Sequence, residues 1–438
     1  MQKQLAGNIN HRRCFRLSIV LFSLVMAYQA FGSDEVKILS EKQPFLTSPR
    51  LINAVLVRNP NILAMKATWQ AAKAHITQTE SIDSPMISYS LAPQTINDTD
   101  LSFGQNLTLS QRLSWAGKRN LRGDIARTQS DIAFIGIEQM RLMLTETSKA
   151  AYIDWYFVHA AIRINQRNQS LLKEFQHIAE IKYSAGRTSR QDALHAEVEM
   201  VRLEHQYIVL EHLRRDTLAK LNTLLQRLPD QPLAPPGGLP KRVTLASVEK
   251  LRELALKNQP ELLTLAAKKQ ASTYKEQLVK SSAYPDITFN AAYNTLWNQQ
   301  EKHLSLGASL KIPLMSQYHA EKDEARALTQ RIGFQQQAKR SQVIGDVQRA
   351  MEKVHESEQL LDLYKKRLLP LAEENLNAAL SNYEAGSGDF LDLIYAEKYL
   401  MQTRLQHEQT RADYHQRFAA LEYVIGGSIG HHPGTNKL

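Results

Sequence analysis

The chain has 438 residues, of which 43% are hydrophobic and 22% are charged, which is enough for two or three ordinary domains or one large elongated domain. A single cysteine excludes a fold held together by disulfides. The formal net charge is +10, but beyond the N-terminus basic residues alternate with acidic ones, whereas a nucleic-acid surface needs clustered positive charge. No nucleic-acid partner is therefore expected.

Residues 1–32 are predicted to be a cleaved secretory signal peptide. A basic segment around Arg12 precedes an apolar run at 17–27, and small residues follow near Gly32. This run is too short to span a bilayer as a helix, which needs about 20 residues, and no later segment has 18 consecutive apolar residues. The periplasm, the cell exterior and an outer-membrane β-barrel remain possible locations.

One long unit occurs twice, about 200 residues apart. The stretch "YSAGRTSRQDALHAE" at 183–197 matches "YEAGSGDFLDLIYAE" at 383–397, and "LVRNPNILAMKA" at 56–67 matches "LKNQPELLTLAA" at 256–267. A period of this length indicates duplication of a domain-sized unit. The expected organisation is a first repeat at 33–228, a Pro- and Gly-rich linker at 229–242, a second repeat at 243–427 and a disordered tail at 428–438.

Each repeat is predicted to contribute one β-hairpin, at 85–113 and at 286–312. Residues 101–113 alternate apolar side chains such as Leu107 and Leu109 with polar ones. Residues 304–312 repeat this period of two, which is typical of a strand with one apolar and one polar face.

A long helix follows each hairpin, over 118–182 and 315–382, and a sharp turn then leads into a return helix. Sixty-five helical residues extend about 100 Å, which is too long for a globular core. Core-type residues spaced alternately by three and four predict a coiled-coil seam. The seam is expected at Ala161, Ile164, Asn168, Leu171, Phe175 and Ile178, and in the second repeat at Leu361, Tyr364, Leu368, Leu371, Asn375 and Ala378.

The turns between these antiparallel helices are assigned to Gly186 and Gly386. Pro370 interrupts the second long helix, where a proline costs about 3 kcal/mol unless the helix is kinked.

The four amphipathic strands predict a membrane sheet that one chain cannot close. About eight strands is the known minimum for an outer-membrane barrel, and an open edge in lipid leaves backbone groups unpaired at a cost of several kcal/mol each. Several chains are therefore expected to complete the barrel, and the helices are expected to continue it as an α-helical tube towards the periplasm.

With these features the sequence resembles the outer membrane factor (TolC-like) family of tripartite efflux systems. The resemblance covers about 40–427 and rests on the duplicated unit, on "RLSWAGKR" at 112–119, on "KIPLMSQ" at 311–317 and on the segment 382–427. It implies a mainly α fold with a β-barrel portion. Each chain would contain a duplicated unit of long antiparallel coiled-coil helices and four transmembrane β-strands. Three chains would form a trimeric 12-stranded barrel continued by an α-helical tube.

The resemblance also implies function. It implies a homotrimer in the outer membrane of a Gram-negative cell, in contact with lipid, whose helical tips bind a periplasmic adaptor (membrane fusion) protein. An inner-membrane RND-type pump would supply the energy, and the channel itself would catalyse nothing and need no cofactor. Motifs such as HExxH and the phosphate loop, which would indicate an enzyme, do not occur.

Within this family the sequence looks most like the heavy-metal branch, the outer-membrane partners of cobalt-zinc-cadmium and copper-silver pumps. "WAGKR" and "RADYHQRFAALEYVIGG" carry this likeness. The expected function is passive conduction of heavy-metal cations from the periplasm to the outside. A drug-efflux or type I secretion channel is the alternative, and a periplasmic coiled-coil adaptor is a weaker one.

The resemblance assigns candidate residues near the tips. Asp392 matches an acidic position that narrows the periplasmic entrance in the family, where rings of Asp favour cations. At a second position that is acidic in the family, this sequence has Tyr395. Asp389 and Asp192 are further candidates for the entrance. Helix capping is the alternative role for Asp389. The residues expected to contact the adaptor are Gly186, Arg187, Gly386 and Ser387.

Aromatic and histidine residues give two further predictions. Trp115, Tyr293 and Trp297 lie near strand ends and are expected at the membrane interface, with plain packing as the alternative. His205 and His212 are seven residues apart, whereas a transition-metal site needs His at i and i+3 or i+4 with further ligands. No metal site is therefore expected.

Overall fold

The fold is described by a computed structural model for residues 45–93, 96, 104–295, 304–312 and 314–429. The predicted signal peptide, nearly all of the predicted tail and Trp297 lie outside the described residues.

The two repeats have the same order of helices and strands. The first contains α1 (Ser48–Arg58), α2 (Pro60–Glu80), β1 (Met86–Leu91), β2 (Gln105–Leu113), α3 (Lys118–Ser184) and α4 (Arg190–Leu224). The second contains α5 (Val248–Asn258), α6 (Pro260–Ser281), β3 (Ile287–Asn294), β4 (Leu304–Leu310), α7 (Met315–Leu363), a π-helical turn (Tyr364–Leu368), α8 (Leu369–Ala385) and α9 (Phe390–Ile425). Among these helices, none combines the length and the apolar composition that crossing a membrane requires.

The compact units of the chain do not coincide with the sequence repeats. One unit, called the tip unit below, contains Thr147–Arg242, Glu356–Gln416 and the described part of Met1–Arg58. The other, called the sheet unit, contains Asn59–Glu146, Val243–His355 and the described part of Arg417–Leu438. Each unit therefore contains segments of both repeats.

The sheet unit holds a four-stranded antiparallel sheet in the order β1-β2-β3-β4. Its register aligns apolar residues across all four strands, as in the row Ile87, Leu109, Ala291 and Leu306. The adjacent row contains Ser88, Thr108, Ala292 and Ser305. Because successive side chains point to opposite faces of a strand, the sheet has one apolar and one mainly polar face, as its alternating sequence predicts.

The core of the tip unit lies along the long helices. In the first repeat, Ala161, Asn168 and Phe175 of the predicted seam are buried. Leu172, Ala179, Leu203, Leu376, Leu393 and Leu400 belong to the set of buried side chains that surrounds this seam.

The predicted seam of the second repeat is wrong beyond Pro370. Leu371 is 58% exposed, whereas Ala372 and Leu376 are buried. The π-helical turn explains this shift, because it contains one residue more than an α-helical turn and so rotates the following residues by one position. Pro370 directly follows this turn as the second residue of α8, so the proline and the π-helical turn interrupt the regular helix at the same place.

The Pro- and Gly-rich segment expected as a linker packs within the tip unit. As its composition predicts, it forms neither helix nor strand, apart from one bridge between Leu46 and Pro236. The hydroxyl of Tyr152 donates to the carbonyl oxygen of Gly238 at 2.8 Å, and the indole Nε1 of Trp155 donates to that of Ala234 at 3.1 Å. These buried contacts hold the segment against α3.

Candidate functional site

The two glycine turns of the tip unit use the same backbone geometry. Gly186 and Gly386 have φ angles of 68° and 80°, a left-handed conformation that costs other residues about 1–2 kcal/mol. In the first turn the N–H of Arg187 donates to the carbonyl oxygen of Lys182 at 2.9 Å, and in the second the N–H of Ser387 donates to that of Asn382 at 3.0 Å. Both helices thus end in a Schellman turn and reverse direction.

Side chains join the two turns to each other. The ammonium group of Lys182 donates to the backbone carbonyl oxygens of Tyr383 and Glu384 and lies 4.2 Å from the centre of the Tyr383 ring. These carbonyls are at the C-terminal end of α8, where a positive charge is favourable. Lys182, from the first repeat, therefore caps a helix of the second.

Asp192 is part of the same connection. It is half-buried, accepts a hydrogen bond from the hydroxyl of Thr188, and its Oδ2 lies 3.4 Å from the hydroxyl of Tyr383. Burial, together with the nearby Asp192 carboxylate, raises the pKa of Tyr383, so its hydroxyl remains a donor. The position of Asp192 is therefore set by contacts between the turns.

Asp389 and Asp392 differ from Asp192 because both are exposed. Asp389 directly precedes the first residue of α9, and Asp392 lies in its first turn, where the helix dipole favours a negative charge. Tyr395, one turn further along α9, is 63% exposed. The structure thus presents Asp392 and Tyr395 on the same exposed side of α9.

Sequence reasoning missed a buried carboxyl group close to this turn. Glu397 of α9 is 4% exposed and packs among apolar residues, and its Oε1 has no hydrogen-bond partner among the described residues. Burial raises the pKa of Glu397 to about 7, and the nearby Glu199 carboxylate adds to the effect. The equivalent Glu197 of the first repeat is exposed, so the repeated Ala-Glu pair gave no sign of this difference.

Two of the predicted interface aromatics belong to the described part of the sheet unit. Trp115 is 42% exposed and stacks on Tyr284 with ring centres 5.4 Å apart. Its backbone N–H donates to Asp286, which also accepts from Lys118 at 2.9 Å. Tyr293 is 45% exposed on the apolar face of β3. Trp115 therefore has a packing partner as well as an exposed surface.

The histidines of α4 show no metal-site geometry. His205 and His212 are both exposed. Within the residues that the structure describes, no group of three or more His, Cys, Asp or Glu side chains is arranged to hold a metal ion.

Comparison with known proteins identifies the family to which this fold belongs. A sequence profile of the outer membrane efflux protein family matches residues 51–226 and 251–427. The chain belongs to this family. It is an outer-membrane efflux channel, as the resemblance of the sequence predicted.

Three proteins that this chain resembles are distant from it in sequence. The chain is 20% identical to the cobalt-zinc-cadmium resistance protein CzcC of Cupriavidus metallidurans over 87% of this chain and 90% of that protein. It is also 20% identical to nodulation protein T of Rhizobium leguminosarum bv. trifolii, over 72% of this chain and 69% of that protein. The crystal structure of CusC, a transmembrane channel, superposes with a TM-score of 0.72 at 15% identity, over 88% of this chain and 94% of that one. The structural likeness supports the mainly helical fold with its duplicated unit.

Proposed function

We propose that three copies of this chain form a channel whose wall in the membrane is a 12-stranded β-barrel. The observation that carries this proposal is the sheet with one apolar and one mainly polar face. Apolar side chains on all four strands are strongly exposed in the single chain, among them Ile87 at 70% and Leu306 at 80%. Such a face suits contact with lipid, while the polar face suits a water-filled interior.

The number of strands supports assembly from several copies. β1 and β4 are the edges of the sheet, and each edge presents backbone groups that lipid cannot satisfy. Adjacent copies would pair β4 of one chain with β1 of the next and so remove every edge. Trp115, Tyr293 and Trp297 would then lie at the membrane interface.

The tip unit is proposed to form the periplasmic entrance. Asp392 and Asp389 are exposed carboxylates beside the second turn, and in a trimer each would occur three times around the entrance. A ring of carboxylates attracts cations. Asp192 would act mainly by holding the turns together, and Gly186, Arg187, Gly386 and Ser387 would face a periplasmic adaptor.

The proposed cargo is a heavy-metal cation, delivered by an inner-membrane RND-type pump and conducted passively to the outside. The similarity to CzcC along almost its whole length supports this choice over a drug or a secreted protein. A conduit should bind its cargo weakly so that release stays fast, so the proposal requires no tight metal site.

The cargo is tested by deletion of the gene in the native host. We expect lower survival in Zn, Co, Cd, Cu or Ag salts, restored by the wild-type gene and only partly by Asp392→Asn. Glu174→Gln, which removes an exposed carboxylate on α3, is the matched control and should restore fully. Unchanged metal tolerance with lost drug tolerance would overturn the metal proposal. Heat-modifiable trimers in the outer-membrane fraction test the channel separately.

A further inference from the structure

The two glycine turns, although equivalent in sequence, expose opposite charges. The first turn is followed by Arg187 and Arg190, both of which are exposed. Among the described residues, neither has a carboxylate within ion-pair distance. The nearby Asp192 carboxylate accepts hydrogen bonds from the hydroxyls of Thr188 and Tyr383, and among the described residues it forms no ion pair with either arginine.

The second turn is flanked by three exposed carboxylates: Glu384, Asp389 and Asp392. No side-chain ion pair joins any of them to a described lysine or arginine. The nearby Lys182 binds the backbone carbonyl oxygens of Tyr383 and Glu384 rather than a carboxylate. The positive and negative charges of this surface thus remain unpaired although the two turns are joined.

The connection between the turns fixes this charge pattern in space. Lys182 and Tyr383 link the last residues of α3 to those of α8, and Phe390 and Tyr383 contact each other with ring centres 5.2 Å apart. A basic and an acidic patch therefore lie side by side on one rigid surface. Complementary charges on a partner would speed its encounter and fix its orientation, whereas a partner charged with one sign would be repelled by one patch.

We propose that the protein that docks on these tips presents acidic side chains to the first turn and basic side chains to the second. This inference rests on the proposed docking of an adaptor and specifies its recognition chemistry. It assigns Arg187 and Arg190 to the acidic group of the partner, and Glu384 together with Asp389, at the rim of the proposed entrance, to the basic group.

Two designed antiparallel helical hairpins, identical except that the loop carries several Glu or several Lys residues, provide the probes. Their binding to the purified full-length channel is measured by fluorescence anisotropy at low and high salt. We expect the double variant Arg187→Glu with Arg190→Glu to bind the acidic hairpin about tenfold more weakly at low salt and to bind the basic hairpin as before. The double variant Glu384→Arg with Asp389→Arg should bind the basic hairpin about tenfold more weakly and the acidic hairpin as before.

Matched controls reverse the same number of exposed charges away from the turns. Arg167→Glu with Lys173→Glu on α3 controls for the first pair, and Glu174→Arg with Glu197→Arg controls for the second. Both controls should bind each hairpin like the wild type. Equal loss of binding in controls and turn variants would overturn the proposal, because net charge alone would then explain it.

A second copy of the chain is the competing occupant. If Arg187 and Arg190 pair with the acidic turn of a neighbouring copy, both reversals will lower the dissociation temperature of the trimer, and combining them will restore it. That result, with neither hairpin binding the wild type, would overturn the proposal. The assay uses no metal, so failure of the proposed cargo would leave the hairpin result unaffected.

Discussion

The return helices α4 and α9 derive from the same ancestral segment but occupy different environments in the chain. Ile394 of α9 is 3% exposed, whereas the equivalent Leu194 of α4 is 48% exposed. Met401 is 8% exposed and Val201 is 59% exposed. One copy of the helix is thus packed within the chain, and the other leaves an apolar side unpaired.

The unpaired side of α4 follows the spacing of a coiled-coil seam. Leu194, Val198, Val201 and Ile208 are all more than 45% exposed and recur at intervals of four, three and seven residues. Duplication has therefore produced one helix suited to the interior of a chain and one suited to contact with another chain. This difference agrees with the proposed trimer, in which neighbouring copies would cover α4.

The largest expected effect comes from truncating the two equivalent side chains. Ile394→Ala should lower the free energy of unfolding of the chain by about 2–5 kcal/mol, because it leaves a cavity in a packed core. Leu194→Ala should change chain unfolding by less than about 0.5 kcal/mol but weaken the trimer. Urea unfolding followed by circular dichroism measures the first quantity, and the dissociation temperature of trimers in SDS measures the second. Equal effects of both variants on chain unfolding would refute the comparison.

The equivalent glutamates Glu397 and Glu197 extend this comparison to the pH dependence of stability. Because the pKa of Glu397 is raised to about 7, its protonated form suits the buried site, and the chain is most stable below about pH 4 with respect to this group. Stability should fall by about 3 kcal/mol as the pH rises from about 4.5 to about 7, and it should level off above that pH. Glu397→Gln should remove this dependence and be more stable than the wild type at pH 8, whereas Glu197→Gln should not. Thermal unfolding between pH 5 and 8 tests this, and identical profiles for both variants would contradict it.

The smallest expected effect concerns the turn that precedes α9. Gly386→Ala should lower stability by about 1 kcal/mol, since open space surrounds its Cβ position but its φ of +80° disfavours alanine. Gly333→Ala, inside α7 with equally open surroundings, is the matched control and should raise stability by about 0.5–1 kcal/mol. Urea midpoints distinguish the two, and destabilisation by both would show that added volume, not backbone conformation, is responsible.

Periodicity in the sequence predicted the sheet and the long helices well. Alternation over 304–312 corresponds to β4, and α3 begins at Lys118, where the predicted helix starts, and ends two residues beyond its predicted end. These features depend on local pattern, which a single sequence contains. The left-handed turns at Gly186 and Gly386 were predictable for the same reason.

The features that escaped prediction depend on packing between distant segments. Nothing in the repeated Ala-Glu pair distinguishes buried Glu397 from exposed Glu197, because the difference arises from the helices that surround α9. The packed Pro- and Gly-rich segment also requires knowledge of Tyr152 and Trp155, about 80 residues away. Likewise, the sequence does not show that the two oppositely charged turns are adjacent, because this depends on the contact between Lys182 and Tyr383.

The π-helical turn at Tyr364–Leu368 has a consequence for how this helix tolerates insertions and deletions. The extra residue of this turn sets the helical phase of α8, from Leu369 to the glycine turn at Gly386. Deleting one residue there would let the backbone return to regular α geometry and leave the phase of α8 unchanged, whereas a return to α geometry with every residue kept would rotate α8 by about 100°. Leu371 and Asn375 would then replace Ala372 and Leu376 in the interior, and Tyr383 would turn away from Asp192. The backbone geometry of one turn thus determines which side chains are buried at the far end of the helix.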